Sequence, residues 1–431
     1  MRIQYFIFFF CQIGLSLNLS AQKLTVDNSD FFYQIAPVYG FRQSILSLTF
    51  DDGYLTQFTI ALPLLKERNI PATFYIITGN IDSVTKNIIS SNISNDYELG
   101  SHTVTHANLV KIGNEDAKME LMNSQLFLQR NFGVNAGLTM SYPWGIYNSS
   151  IEHLVSNIYL AARSTDVGYN SLDRFDRYAL KVESFDKRTG AYRANPWIDF
   201  AIQNHLWLVE MIHGINDVGY SPVDSRVLTE HLDYIATASD KIWCSTVSNV
   251  IKYMDESKNT EVRCELCTDS VYQFRINDYL DDSVYSQPLS FKVKVPSAWD
   301  SISISDGIKF TTEYDNKNKF ILFDALPDNK EITIRPRSIT VPEKESGIRF
   351  IYMSSNPFHD YIKLSLEVLD PQDIDIVLCD INGRLLNHQK EKNAIGVINL
   401  NFDTSGVSTG MYFISIISSG GGKIIKKVVK I

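Results

Sequence analysis

The sequence predicts an α/β domain followed by two small all-β units, and three observations predict it. From about residue 23 to 255, short apolar runs of strand character alternate with amphipathic segments at helical spacing. From about 260 to 340 the texture changes to short alternating runs separated by Asp, Asn, Pro and Ser. From about 350 onward a second stretch of that kind follows and closes on basic residues. A length of 431 residues suits two or three domains.

In the α/β part, Ile45, Leu46, Leu48 and Phe50 form a strand-like run that ends in Asp51-Asp52-Gly53. A buried strand looks like this where its C-terminal end opens into a site. Leu62 to Arg68 and Ala117 to Phe132 read as amphipathic helices, the second with Met119, Met122, Leu126 and Leu128 near helical spacing. Between them stands His102-Thr103-Val104-Thr105-His106, preceded by Gly100-Ser101. Its two imidazoles are four residues apart and share a face if the segment is helical. Ile158 to Arg163 is another apolar run, and Trp207 to Ile212 is a third that ends in His213-Gly214. Residues 223 to 253, including Leu232-Asp233-Tyr234-Ile235 and Ile242 to Thr246, complete the last helix and strand. The polar run Asp255 to Asn259 then reads as a linker.

One carboxylate with two imidazoles is a facial ligand set for a divalent metal that leaves coordination positions open. The adjacent carboxylate is left over as a base for water. Three polar clusters, each ending a buried-type strand, suggest one pocket at the C-terminal rim of a parallel sheet or barrel. The combination reads as a metal-dependent hydrolase.

Thr49-Phe50-Asp51-Asp52-Gly53, His102-Thr103-x-x-His106, Pro143-Trp144-Gly145 and Ile212-His213 resemble, in order, successive motifs of the polysaccharide deacetylase family, the NodB-homology domain of carbohydrate esterase family 4. The resemblance implies an irregular (β/α)7 barrel over residues 22–255. It implies that Asp51 is the catalytic base, that Asp52, His102 and His106 ligate a divalent metal (Zn2+, with Co2+, Mn2+ or Ni2+ as alternatives), and that His213 is the general acid. Pro143-Trp144 would supply a backbone N–H near Trp144 to the oxyanion and wall the pocket, or else form only a turn with a buried aromatic. The substrate implied is an acetylated polysaccharide carrying N-acetyl or O-acetyl groups. Two departures stand out. The arginine that normally precedes the motif-three proline is missing, its positions holding Met140, Ser141 and Tyr142. Arg163 could supply that charge from a neighbouring strand, or be a surface arginine at a strand end. Asp166 falls where the acidic partner of the general acid belongs, without its usual surroundings. The missing arginine is the best support for the competing reading, a catalytically silent glycan-binding protein on the same barrel.

In residues 260–340, Val271 to Ile276, Leu289 to Val295 and Phe320 to Phe323 alternate as strands of a small antiparallel sandwich, a spacer or a sugar-binding module. In residues 350–431, Asn356-Pro357-Phe358, Asp380-Ile381-Asn382-Gly383-Arg384 and Gly410-Met411-Tyr412, with Lys423, Lys426, Lys427 and Lys430, resemble the type IX (Por) secretion-system C-terminal sorting domain of Bacteroidetes. The residues themselves read as an all-β unit with a hairpin turn at Asn382-Gly383. The resemblance implies delivery to the cell surface by that machinery, through the periplasm.

Residues 1–21 agree with such a route. Arg2 precedes an apolar stretch from Ile3 to Leu19 that ends at Ser20-Ala21, as in a secretory signal peptide. Gln12, Ser16 and Asn18 shorten the stretch below the ~20 residues a membrane span requires, which argues against an anchor. A net charge of -9 argues against nucleic acid as a partner. Cys264 and Cys267 suit a local disulfide, or unpaired buried thiols, better than a zinc site, because no second pair completes four ligands.

Overall fold

The computed structural model describes residues 31–304, 313–336, 347–353, 358–380, 384–420 and 423–431. The predicted signal peptide, Asn356-Pro357 and the Asn382-Gly383 turn lie outside the described residues. The chain divides into two compact units, one ending at Pro336 and one beginning at Arg337.

The first unit starts with a short strand, β1 (Tyr33–Ile35), and then builds a barrel from β2 (Ser44–Asp52), β3 (Ala72–Ile76), β4 (Glu98–Ser101), β5 (Thr139–Ser141), β6 (Ala161–Val167), β8 (Leu180–Ser184) and β9 (Leu206–Ile212). These strands pair in parallel in that order, and β9 pairs with β2 to close the ring. The barrel is irregular in two places. β7 (Asn170–Ser171) runs antiparallel along the start of β9, and β10 (Ile242–Cys244) pairs with the first residues of β2, ahead of β3. Helices α1 (Leu62–Glu67), α2 (Ser83–Asn92), α3 (Asn114–Phe132), α4 (Ser149–Ser156), α5 (Ala191–Asn204) and α6 (Ser225–Thr237) accompany the strands. Asp82, Asn148 and Asp224 cap three of them by accepting a backbone N–H of the first turn.

The period-two alternation of the strands separates two cores. Leu46, Leu48 and Phe50 of β2, with Leu208 and Ile212 of β9, pack among helix residues such as Leu65, Ile198 and Leu232. The intervening Ile45, Trp207, Val209 and Met211 belong to a different cluster with Leu180 and Val182, which fills the lumen.

That lumen cluster does not stop at the barrel. It continues through Val247, Val250, Ile251 and Tyr253 of α7 (Val247–Asn259) into Tyr272, Phe274, Phe291, Val293, Trp299 and Phe323. These last residues come from two four-stranded antiparallel sheets. One contains β11 (Glu261–Thr268), β12 (Val271–Asn277), β17 (Asp328–Pro336) and β14 (Ile302–Ile304). The other contains β1, β13 (Leu289–Lys294), β16 (Phe320–Ala325) and β15 (Glu313–Asp315). The sandwich therefore shares its core with the barrel and takes one strand from the other end of the unit. Asp255 to Asn259, expected as a linker, is instead the last turn of α7, held there through the buried side chain of Glu256. Glu256 is fully buried, and its carboxylate accepts the Gln287 N–H at 2.9 Å. Cys264 and Cys267 form a disulfide across a bulge in β11.

The second unit is all β. β18 (Ile348–Met353), β19 (Tyr361–Asp380), β20 (Leu385–Asp403), β21 (Gly410–Ser418) and β22 (Lys423–Lys430) form one antiparallel sheet. Strand β19 pairs with β20 along almost its whole length, with breaks of register near Gln372, and shares its first half with β18 and its second with β21. Its core holds Ile362, Leu366, Ile376, Leu378, Ile414 and Ile416, and the basic residues ride on β22. Among the described residues no helix is long and apolar enough to cross a membrane.

Candidate metal centre and active site

The site sits at the C-terminal rim of the barrel. β2 delivers Asp51 and Asp52 and then stops, because Asp52 (φ 76°) and Gly53 (φ 73°) both take the left-handed conformation. Asp is one of the few non-glycine residues that tolerates it. The turn separates the two side chains: Asp51 points into the lumen, almost fully buried, and Asp52 lies at the rim.

The two histidines converge with Asp52, but not for the expected reason. Residues 102–106 form no helix. Thr103 (φ 64°) and His106 (φ 60°) are left-handed, unfavourable for a β-branched residue, so the surroundings must hold the loop. Thr78 and Gly79 donate their N–H groups to the carbonyls of Thr103 (3.0 Å) and Val104 (2.8 Å). The Glu120 carboxylate on α3 accepts the N–H groups of Val104 and Thr105, both at 2.9 Å. Gly79 has to be glycine: a Cβ there would stand 2.5 Å from the Val104 carbonyl.

The outcome is a cluster in which one oxygen of Asp52 and one nitrogen each of His102 and His106 all lie within 4.8 Å of one another. His102 Nε2 is 3.6 Å, and His106 Nε2 3.9 Å, from Asp52 Oδ1. His102 Nδ1 faces the Ser141 carbonyl at 2.9 Å and the Ser141 hydroxyl at 2.6 Å. A proton on Nδ1 satisfies that carbonyl and leaves the Nε2 lone pair aimed at the cluster, as metal-binding imidazoles are usually held. Burial pushes the His102 imidazolium down to about 4, against the pull of Asp51 and Asp52, so the ring is neutral at pH 7. A carboxylate oxygen and two imidazole nitrogens fit a divalent ion of the zinc type.

Arg163 is no surface arginine. It is fully buried, and its Nη2 donates to Asp51 Oδ2 in an ion pair. Nη1 donates to the Ser164 carbonyl at 2.8 Å, and the guanidinium lies over the Tyr75 ring, 5.5 Å from its centroid. Gly100 makes room for that ring, since a Cβ there would stand 2.4 Å from it. Burial by itself raises the Asp51 carboxyl, but Arg163, His102 and His213 together hold it below the ordinary carboxylate range. Asp51 Oδ1 and Arg163 Nε are both buried and have no hydrogen-bond partner among the described residues. A free carboxylate oxygen in such a place is suited to take a proton.

His213 ends β9 with its Nε2 3.8 Å from Asp51 Oδ2. Gln57 clips the two strand ends together, its side-chain amide donating to the backbone carbonyls of Asp51 and His213. Asp166 is not a partner of His213. It lies three residues beyond Arg163 on β6, on the opposite side of the strand, where it is exposed and accepts the Tyr147 hydroxyl at 3.1 Å. The carboxylate within ion-pairing distance of His213 is Asp51 itself. Pro143 is buried, whereas Trp144 is 66 % exposed and left-handed (φ 62°), with its indole N–H on the His106 carbonyl at 3.2 Å and its ring 4.9 Å from the His106 ring. The alternative of a turn with a buried aromatic is thus not what forms.

Sequence reasoning missed Ser141, Gln57, Tyr75 and Glu120. In the sequence, Ser141 stands out only as one of the positions that lack the arginine. Gly100, which precedes the histidine pair, is the trace that Tyr75 leaves in the sequence.

Residues 40–162 match the family model of polysaccharide deacetylases, and residues 355–431 match that of the secretion system C-terminal sorting domain. Arg163 and His213 lie beyond the first match. A gellan lyase from a Bacillus species is 26% identical over 325 residues, 68% of this chain and 13% of that protein. A peptidoglycan-N-acetylglucosamine deacetylase from Bacillus cereus is 30% identical over 94 residues, 22% of this chain and 34% of that protein. This chain therefore spans well under two thirds of the length of either curated relative. A solved family 4 acetyl xylan esterase from Clostridium thermocellum, in complex with a cobalt ion, overlays with a TM-score of 0.37 at 17% identity, over 48% of this chain and 90% of its own.

Proposed function

We propose that this chain, which carries a polysaccharide deacetylase domain and a secretion-system sorting domain, is a secreted, divalent-metal-dependent hydrolase that removes acetyl groups from a glycan. The observation that carries the reading is the pairing of a three-donor cluster, Asp52, His102 and His106, with a separate buried carboxylate, Asp51, held by Arg163. The first is a ligand set and the second a base, and a hydrolase needs both.

A divalent ion held by Asp52, His102 and His106 would act as a Lewis acid, making water more acidic and polarising the acetyl carbonyl. Asp51 takes a proton from the attacking water at its unpaired Oδ1, while Arg163 keeps Oδ2 engaged and the carboxylate in place. A backbone N–H at Trp144 stabilises the tetrahedral oxyanion. His213 protonates the departing amine or alcohol. The match to a peptidoglycan N-acetylglucosamine deacetylase favours an N-acetyl sugar as substrate. The gellan lyase match brings no lyase reaction with it, because it covers only 13% of that protein. Arg163 on Asp51 also weighs against a catalytically silent binder, whose main support was an absent arginine. Residues 355–431 act as an address read by the secretion machinery, with delivery to the cell surface by way of the periplasm.

The test is acetate release from a panel of N- and O-acetylated glycans by protein reconstituted with Zn2+, Co2+, Mn2+ or Ni2+. His106→Ala is expected to lose bound metal and acetate release together. Metal content unchanged by that substitution would overturn the ligand assignment, and no acetate from any glycan would overturn the reaction.

A further inference from the structure

Beside His213 the rim carries an aromatic side chain with no catalytic duty. Tyr220 is 68 % exposed, and its ring meets the His213 imidazole edge to face, centroids 5.1 Å apart. A large ring left in water is unremarkable on a loose loop, but this loop is fastened. Val223 N–H donates to the Gly214 carbonyl at 2.9 Å, and Asn216, itself left-handed, donates its N–H to the Val223 carbonyl at 2.7 Å. Gly214 allows the loop to fold back, since a Cβ would stand 1.8 Å from the Val218 carbonyl. Gly219 (φ 89°) lies flat on the Tyr54 ring, and the Tyr54 hydroxyl accepts the Tyr220 N–H at 3.3 Å. Tyr54 is in turn two residues from Asp52, so the loop that presents Tyr220 is anchored to the strand end that carries the metal-ligand carboxylate.

Trp144 mirrors this arrangement on the other side. Both exposed rings stand on constrained backbone, and each touches one histidine of the site, Trp144 against His106 and Tyr220 against His213. Rigid aromatic rings supply contact area at low entropic cost and suit a partner that is apolar on one face and polar at its edges. A pyranose with equatorial substituents is such a partner, because one face is an unbroken set of C–H bonds.

We infer that Tyr220 is the sugar platform of this site: the pyranose whose amine or alcohol leaves toward His213 stacks its C–H face on the Tyr220 ring, so the substrate is a glycan of gluco- or xylo-configured rings and not a small acetyl ester. The inference rests on the deacetylase reading and adds to it a residue that sets specificity through binding and not through chemistry. Tyr220 moves no proton; it places the acetylated carbon relative to Asp51 and His213.

The experiment compares Tyr220→Ala, Tyr220→Phe and Tyr220→Trp with the parent protein on two probes, a β-1,4-linked N-acetylglucosamine pentamer and 4-nitrophenyl acetate. Tyr220→Ala is expected to lower the ratio of kcat/KM on the pentamer to kcat/KM on the aryl ester by about tenfold or more, mainly through KM, as suits loss of one aromatic contact. The Phe and Trp variants keep the ring and are expected to restore that ratio. An unchanged ratio in Tyr220→Ala, or failure of both aromatic variants to rescue it, overturns the inference while leaving the deacetylase reading intact. If the parent protein releases no acetate from the pentamer, the deciding measurement is calorimetric titration with the pentamer. Binding weakened in Tyr220→Ala and kept in Tyr220→Phe supports the platform without the reaction. Equal binding in the parent and Tyr220→Ala, or none in either, overturns it.

Discussion

Asp51 and Glu98 are two buried carboxylates in one barrel, and the structure treats them differently. Glu98, on β4, sits at the floor of the lumen with both oxygens engaged. Thr139 donates to Oε1 at 2.5 Å, and Thr73 and the Ser248 N–H at the start of α7 donate to Oε2 at 2.9 Å each. Asp51, at the rim, has one oxygen on Arg163 and the other without a partner among the described residues. The same contrast holds between two carboxylate–imidazole pairs. Glu210 and His231, both fully buried, are in direct contact at 2.9 Å, and Asn195 takes the second ring nitrogen, whereas His213 stays 3.8 Å from Asp51. A buried polar group that is fully satisfied holds a fold together, and one left short of partners is a place where something else is meant to bind. Burial and residue type alone would not have told these groups apart.

The largest test of that contrast removes what closes the floor. Deleting residues 261–336 strips the sandwich from the lumen cluster, and the barrel is expected not to fold, seen as loss of the cooperative thermal transition. A chain ending near residue 342 keeps the first unit whole and is expected to retain acetate release. A folded, active protein without the sandwich would show the floor to be dispensable. At the rim, Asp51→Asn is expected to cost ~10²–10⁴ in kcat while bound metal, measured by elemental analysis, stays in place. Loss of metal in that variant would make Asp51 a ligand instead. His213→Ala is expected to depress hydrolysis of N-acetyl substrates far more than of aryl acetates, since an amine must be protonated to leave and an activated phenol need not be. Equal losses would remove the acid role.

Two smaller effects belong to the floor. Glu98→Gln deprives the donors of a shared acceptor and is expected to cost about 1–3 kcal/mol of stability in denaturant unfolding, with kcat of the folded fraction preserved. Glu256, in α7 beside the sandwich, is pushed up to about 8 by burial, against the Gln287 N–H and Lys252 that favour its charge. A carboxyl raised in the folded state stabilises while protonated, so stability should fall as pH rises from about 5 through 8. Glu256→Gln is expected to flatten that decline in melting temperature, and an identical slope in the variant would remove Glu256 as its source.

Much of the rim was legible because the chemistry lies at strand ends, and strands announce themselves by apolar runs. The runs before Asp51 and His213 became β2 and β9, and the residues read as base, ligands and acid do meet. The histidine pair is not brought together by helical spacing, and spacing cannot reveal two left-handed residues, Thr103 and His106, in a loop held by Glu120 from a helix further along the chain. Asp166 followed a motif position, but β6 turns it away from the lumen that Arg163 enters. The floor was not legible. Glu98 meets Thr73, Thr139 and Ser248 across separations of 25 to 150 residues. Glu256 looked like linker because its neighbours in sequence are polar and the residues that bury it are distant.

Strand β1 has a consequence for how the protein comes to be folded. Its first residue, Tyr33, pairs with Val293, and so the sheet that covers the barrel floor joins segments 260 positions apart. Closing a loop of that length costs about 5 kcal/mol of chain entropy before any contact offsets it. Topologies rich in such distant pairings fold slowly. A nascent chain emerging from its N-terminus presents β1 early and its partner only after the whole barrel has been made. Completion of the first unit therefore waits for the C-terminal half of that unit to be synthesised, however early β1 itself leaves the ribosome.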